Sequence, residues 1–163
     1  MEKKDYFNKE YNYIKDSKKQ EDLKYLVNNL PDYFFEIPAS STGKYHPEFA
    51  STTHGLVKHT KLAVRIPYEL LDNSGLNNFT DNEKDIIIMA LILHDGFKSG
   101  KVQEKYTRFD HPLLVCDFIR EHSSNLSLTS GEIDLLTNVI SSHMGIWNKD
   151  YNGNEVLPIP QDK

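Results

Sequence analysis

The sequence predicts an all-α domain, on three observations. Two capping boxes, Thr80 with Glu83 and Thr129 with Glu132, each stand just before an apolar run. Apolar residues recur at three- and four-residue spacing over 22–30, 56–71, 113–119 and 133–140. No stretch alternates apolar and polar residues long enough to read as a strand. At 163 residues, the chain is expected to form one domain.

The elements follow in order. Residues 1–22 carry many charges, with Tyr6, Phe7, Tyr11, Tyr13 and Ile14 loosely spaced as one helical face. Leu23, Leu26, Val27 and Leu30 predict a helix over 22–30 that Pro31 ends. The segment Tyr33-Phe34-Phe35-Glu36-Ile37 is dense enough in apolar residues to anchor this N-terminal part on the core. Residues 39–47 read as a loop. A helix over 56–71 contains Pro67, which must kink it or remove a backbone hydrogen bond. Thr80 opens a helix whose run Ile86-Ile87-Ile88-Met89-Ala90-Leu91-Ile92-Leu93 is apolar on nearly every side, so it belongs at the centre. Asp110 is expected to cap the next helix, with Pro112 tolerated in its first turn, and Thr129 caps the last.

Composition narrows the function. Charged residues at 26% and hydrophobic residues at 38% exclude a collagen-like or wholly disordered chain. The longest apolar run is too short for a membrane span, and the start, Met-Glu-Lys-Lys-Asp-Tyr, lacks the apolar core of a signal peptide. Cys116 is the single cysteine, so no internal disulfide marks a secreted protein. A cytoplasmic protein without a membrane partner is expected. The net charge of −5 requires any nucleic-acid contact to use a local basic patch. Lys98, Lys101, Lys105 and Arg108 form one candidate, against the single acid Glu104.

The chain has seven histidines. His59 lies inside the 56–71 helix, His94 and Asp95 end the central helix before Gly96, His111 starts the next, and His143 follows the last. Helix ends project side chains into clefts, so four helices can bring these groups to one pocket. Imidazoles and a carboxylate from neighbouring helices suit a divalent metal. Adjacent residues on a helix diverge by about 100°, so His94 and Asp95 face one ion only if the helix ends or bends there. Each histidine alone reads as structural; the ordered set does not.

That set resembles the HD superfamily of metal-dependent phosphohydrolases. The matching residues are His59 in Gly55-Leu-Val-Lys-His-Thr, then Ala90-Leu-Ile-Leu-His94-Asp95-Gly-Phe-Lys98, His111 in Asp110-His-Pro, and His143 in Ile140-Ser-Ser-His-Met-Gly. The resemblance covers residues 34–147 and implies an HD-domain helical bundle over 34–163, with 1–33 as a helical extension packed on it. It implies a metal at His59, His94 and Asp95, with His111 and His143 as the extra ligands of dinuclear members and Asp95 as the bridge. One or two divalent ions are implied, among Mn, Zn, Fe, Ni, Co and Mg. Lys98 is similar to the lysine that contacts substrate or its phosphate. The family pattern closes with an aspartate on a later helix. That helix is expected to be missing here, with Asp150 and Asp162 as the substitutes on offer.

The segment 37–47, joined to Thr53-His54-Gly-Leu-Val-Lys-His59, is similar to the HD domain of bacterial 3′–5′ exoribonucleases. It is similar also to small stand-alone HD proteins of bacteria and phages, the closer match. The expected chemistry is hydrolysis at phosphorus. Lys98 and Asp95, with His54 as a candidate proton donor, carry it; Lys44, Ser41, Thr42, Lys101 and Arg108 contact phosphate, with Lys105 nearby. His46 reads as a loop histidine with surface partners.

The leading substrate is a nucleotide or another small phosphorylated metabolite. A 3′–5′ exonuclease or phosphodiesterase on short single-stranded nucleic acid is the alternative, with Phe97, Tyr106, Phe109 and Trp147 as stacking candidates. A di-iron oxygenase uses a similar ligand series, and a non-catalytic nucleotide-binding domain accords with the missing aspartate. A homo-oligomer is compatible with the family resemblance.

Overall fold

Both capping boxes form. The Glu83 amide donates to Thr80 Oγ1 at 3.2 Å and the Thr80 amide donates to Glu83 Oε2 at 2.7 Å. Thr129 and Glu132 repeat the exchange at 3.2 and 2.8 Å. Orphan amides of the first turn are thereby satisfied and each helix starts where its sequence says. The computed structural model describes residues 1–44 and 46–161. Its α-helices are α1 (Ser17–Asn28), α2 (Gly55–Asp72), α3 (Asp81–Leu93), α4 (His111–Glu121) and α5 (Ser130–Ser141). Among the described residues there is no strand, only an isolated bridge between Lys149 and Glu155. The fold is an all-α bundle.

The central helix is α3, packed between α2 and α5, with α4 against α5. Ile86, Ile88, Met89, Ala90, Ile92 and Leu93 are all buried, as an apolar run with no polar face requires. No helix among the described residues is long and apolar enough to cross a membrane.

The N-terminal segment departs from the loose helical face expected over 1–22. It makes two 3-10 turns, Lys3–Phe7 and Glu10–Tyr13, and is extended at Ile14 before α1 begins. Two carboxylates explain the break. Asp16 accepts from the Lys18 amide and caps α1, five residues ahead of the predicted start. The buried Asp85 of α3 accepts from the amides of Lys15 and Asp16 at 2.9 and 3.0 Å, so these donors are spent on α3 and not on a helix. Phe7, Tyr11, Ile14, Leu23 and Leu26 join the same core as α3.

Helix α2 runs through Pro67 without interruption. Gly55 starts it because nothing larger fits: a Cβ there would stand 2.0 Å from the Ala50 carbonyl oxygen. The backbone is this crowded because residues 36–39 hydrogen-bond to 50–56, through His54 N to Glu36 O, Leu56 N to Ile37 O and Ala39 N to Ala50 O. The loop that follows Ala39 is thus held beside the start of α2.

Candidate metal centre

His94 and Asp95 face one place because α3 stops. The His94 amide still bonds Ala90 O, but the Gly96 amide bonds Leu93 O and the Lys98 amide bonds Asp95 O, so the chain tightens into three-residue turns. Gly96 permits this; a Cβ would meet Leu30 Cδ2 at 2.7 Å. His111 is the first residue of α4, His143 lies two residues past α5, and His59 sits on the second turn of α2.

The five side chains form two groups that share Asp95. His59, His94 and Asp95 offer ligand atoms within 4.8 Å of one another, as do Asp95, His111 and His143. Asp95 Oδ2 lies 3.4 Å from His94 Nε2 and 4.0 Å from His59 Nε2. Asp95 Oδ1 lies 3.0 Å from His111 Nε2, which is 3.3 Å from His143 Nε2. Each carboxylate oxygen therefore serves one group.

Three of the imidazoles are held in one way. Nδ1 of His94, His111 and His143 lies 2.7–2.8 Å from the carbonyl oxygen three residues earlier, on Leu91, Arg108 and Ile140. A carbonyl oxygen only accepts, so Nδ1 carries the hydrogen and Nε2 of the neutral ring is a bare lone pair. At His111 this leaves three electron-rich atoms converging: its own Nε2, Asp95 Oδ1 and His143 Nε2. Only positive charge relieves that arrangement, either an added proton or a metal ion. Neighbouring ligands on an ion with bonds of about 2.1 Å stand about 3.0 Å apart in an octahedron and about 3.4 Å in a tetrahedron. The 3.0 and 3.3 Å separations fit that spacing. Either group can hold a metal ion.

The surroundings tune these groups. Burial pushes His59 and His143 down to about 4, so both are neutral near pH 7. Burial also opposes charge on His94, but the Asp95 carboxylate outweighs it and the pKa is raised. For Asp95, burial works against ionisation, yet His94, His111 and Lys98 hold its carboxyl well below the usual range. Lys98 Nζ lies 2.9 Å from Asp95 Oδ2 with its side chain only 12% exposed, so it belongs to the centre.

Other sequence-predicted residues are placed differently. His54 Nδ1 donates to the Phe35 carbonyl and its ring lies by Tyr6, clipping the start of α2 instead of joining the cluster. Arg108 is spent on Glu104 and on both oxygens of Asp110. That bidentate pair is also why Asp110 does not cap α4 with its side chain. Lys101 pairs with Glu121 at 3.2 Å, and Lys105 lies over the Tyr106 ring. The basic patch is therefore largely neutralised. Lys44 and Thr42 are exposed, and Ser40 Oγ accepts from the Thr42 and Gly43 amides to shape that loop. Ser41 does approach: with Lys98, Ser99, Lys105 and Thr107 it lines a cleft of about 210 Å³. Asp150 joins neither group; it accepts from the Asn152 and Asn154 amides in an exposed turn. Asp162 lies outside the described residues.

Two features were not legible in the sequence. His46, expected to find surface partners, packs its ring edge-on to His59 at 4.6 Å, with its buried Nδ1 unpaired. A groove of about 790 Å³ opens on His143, walled by Asn138, Val139, Ser142, Pro158 and Ile159. Trp147, four residues after His143 in the chain, is 72% exposed. Phe97, by contrast, packs on Phe118 in the core. No family model, curated protein or solved structure matches this chain.

Proposed function

We propose that the chain is a metal-dependent phosphohydrolase of the HD superfamily, acting on a nucleotide or a related small phosphorylated metabolite. The observation that carries this reading is the division of Asp95 between two ligand groups, one oxygen to His59 and His94, the other to His111 and His143. A divalent ion at such a site lowers the pKa of water toward neutrality and polarises a phosphoryl oxygen.

The chain's own residues supply the rest. Lys98 stands beside Asp95, where an ammonium neutralises charge building on a phosphoryl group. The small cleft beside it is lined by Ser41, Lys105 and Thr107 and by Glu104, whose carboxylate is already paired with Arg108, so it suits a further anionic group of the substrate. The wider groove at His143 is of the size that takes a small organic ligand, and the exposed Trp147 indole offers a face for a base. A small substrate is favoured over a polymer because Lys101 and Arg108 are already paired with acids and the net charge is −5. A cytoplasmic setting accords with the lone reduced thiol of Cys116.

The test is metal content of protein purified without chelator, followed by phosphate release from nucleoside mono-, di- and triphosphates. One or two equivalents of metal with metal-dependent phosphate release support the proposal. Trimming of a short labelled oligonucleotide without action on nucleotides replaces it with the exonuclease reading, and O₂ uptake with Fe²⁺ replaces it with the oxygenase. Metal-free protein that stays inert after Mn²⁺, Zn²⁺ or Fe²⁺ is added overturns the enzymatic reading.

A further inference from the structure

Helix α2 carries two apolar stripes, and the fold buries one. Val57, Thr60, Val64 and Leu71 face the core. Leu62, Ile66 and Leu70 are 42%, 55% and 53% exposed. At about 100° per residue, Leu62 and Leu70 lie within about 40° of Ile66, so the three form one continuous ridge, away from the buried face. Three large aliphatic residues in line on a surface helix mark a contact face rather than scattered exposure.

Charge beside the ridge identifies the occupant. Along one flank, about 60–120° from Ile66, the half before Ile66 carries Lys58 and Arg65 and the half after it Glu69 and Asp72. The opposite flank, Ala63 and Pro67, is uncharged. A two-fold axis at Ile66, perpendicular to both helices, brings the charged flanks of two copies together with their directions reversed. Basic halves then meet acidic halves: Arg65 lies beside the partner subunit's Glu69, and Lys58 beside the partner subunit's Asp72. A parallel pairing would set the charged flank against the neutral one. Within one chain Arg65 and Glu69 are weakly paired, with Nε and Oε1 4.0 Å apart and both side chains exposed, and Lys58 Nζ donates only to the Thr52 hydroxyl at 3.0 Å.

We propose that the chain forms a two-fold homodimer through antiparallel packing of α2 on α2, centred on Ile66, with Leu62 opposite the partner subunit's Leu70. Such an interface is self-complementary, as a two-fold contact must be. Its position does not depend on the metal reading, although His59 lies on the same face of α2 one turn before Leu62.

Sedimentation equilibrium across the micromolar range tests it, with circular dichroism to verify folding. The native chain is expected at twice its 18.9 kDa mass, and Ile66→Glu at the single mass with unchanged helicity. Arg65→Glu and Glu69→Lys are each expected to weaken the dimer ~5-fold, and the double exchange to restore it, because it swaps both partners of each pair. Restoration is a result that misfolding does not produce. A native chain that stays monomeric overturns the proposal. So does a dimer that is indifferent to Ile66→Glu, or single reversals that the double exchange fails to rescue.

Discussion

Lys98 Nζ stands 2.9 Å from Asp95 Oδ2, the oxygen that His94 and His59 also approach. The chain thus brings its own cation to the carboxylate that a metal ion would use. An ion at Oδ2 would compete with Lys98, whose ammonium would then be free to turn to the cleft it lines with Ser41. Replacing Lys98 with Met is therefore expected to leave metal affinity unchanged or tighter, while the turnover number falls about 10²–10³-fold. Calorimetric titration with Mn²⁺ beside phosphate release measures both. Weaker metal binding in the variant counts against the competition.

Asp95→Asn is expected to remove all bound metal, because the change reaches both ligand groups, whereas His143→Ala removes the ion of one group only. Elemental mass spectrometry reads the stoichiometry. Asp95→Asn also strands the nearly buried Lys98 ammonium, at a cost of about 3–5 kcal/mol. The double variant Asp95→Asn with Lys98→Met is expected to recover much of that stability and still bind no metal. Retained metal in either Asp95 variant would sink the shared-carboxylate arrangement.

The metal-free protein is expected to be most stable near pH 6.5. His59 and His143 have folded pKa values of about 4 against an ordinary 6.5, so between these values the unfolded chain binds protons that the folded chain refuses. Stability is then lost as pH falls through that window, by at most about 1.4 kcal/mol per unit and per histidine. His94 has the opposite sign. Its raised pKa gives stability that is complete below 6.5 and lost as pH rises through the folded value. Asp95 adds nothing in this window, since its depressed pKa matters only below the ordinary carboxylate range. Urea midpoints from pH 4 to 8 test the maximum; a flat profile refutes it.

Gly55→Ala is expected to destabilise by about 1–3 kcal/mol or more, because the methyl must displace the Ala50 carbonyl found 2.0 Å from its position. The strain falls on the 36–39 and 50–56 pairing that holds the loop bearing His46. A lowered melting temperature together with reduced metal affinity is the expected pair of effects. A gain in stability from the shortened list of unfolded conformers would contradict the crowding.

Trp147→Ala is expected to raise KM for a nucleotide roughly 5- to 100-fold with little change in kcat, the scale of one lost base stack. The side chain is 72% exposed, so stability is expected to hold. Steady-state kinetics on nucleotide and on a base-free phosphate ester separate the cases. Equal losses on both substrates would remove Trp147 from base recognition.

Much of the fold was legible because helices are local. Thr80 with Glu83 and Thr129 with Glu132 announced two starts, and the apolar run 86–93 announced the centre. The early segment was not legible, since its break depends on Asp85, some seventy positions away, capturing the Lys15 and Asp16 amides. The same limit applied to charge. Lys98, Lys101, Lys105 and Arg108 are neighbours in sequence, but folding gives Lys98 to Asp95, Lys101 to Glu121 and Arg108 to Glu104 and Asp110. Asp110, read as a cap, pairs with Arg108 instead.

By itself the sequence determined the all-α class and singled out the five side chains of the candidate centre, because helix signals lie within a few residues and ligand chemistry resides in the residue type. Tertiary structure alone decided that positions 59, 94, 95, 111 and 143 meet, that His46 joins them while His54 turns to Phe35, and that one apolar stripe of α2 stays outside. Those outcomes depend on how distant helices pack, and periodicity along one chain carries no record of which face its neighbour covers.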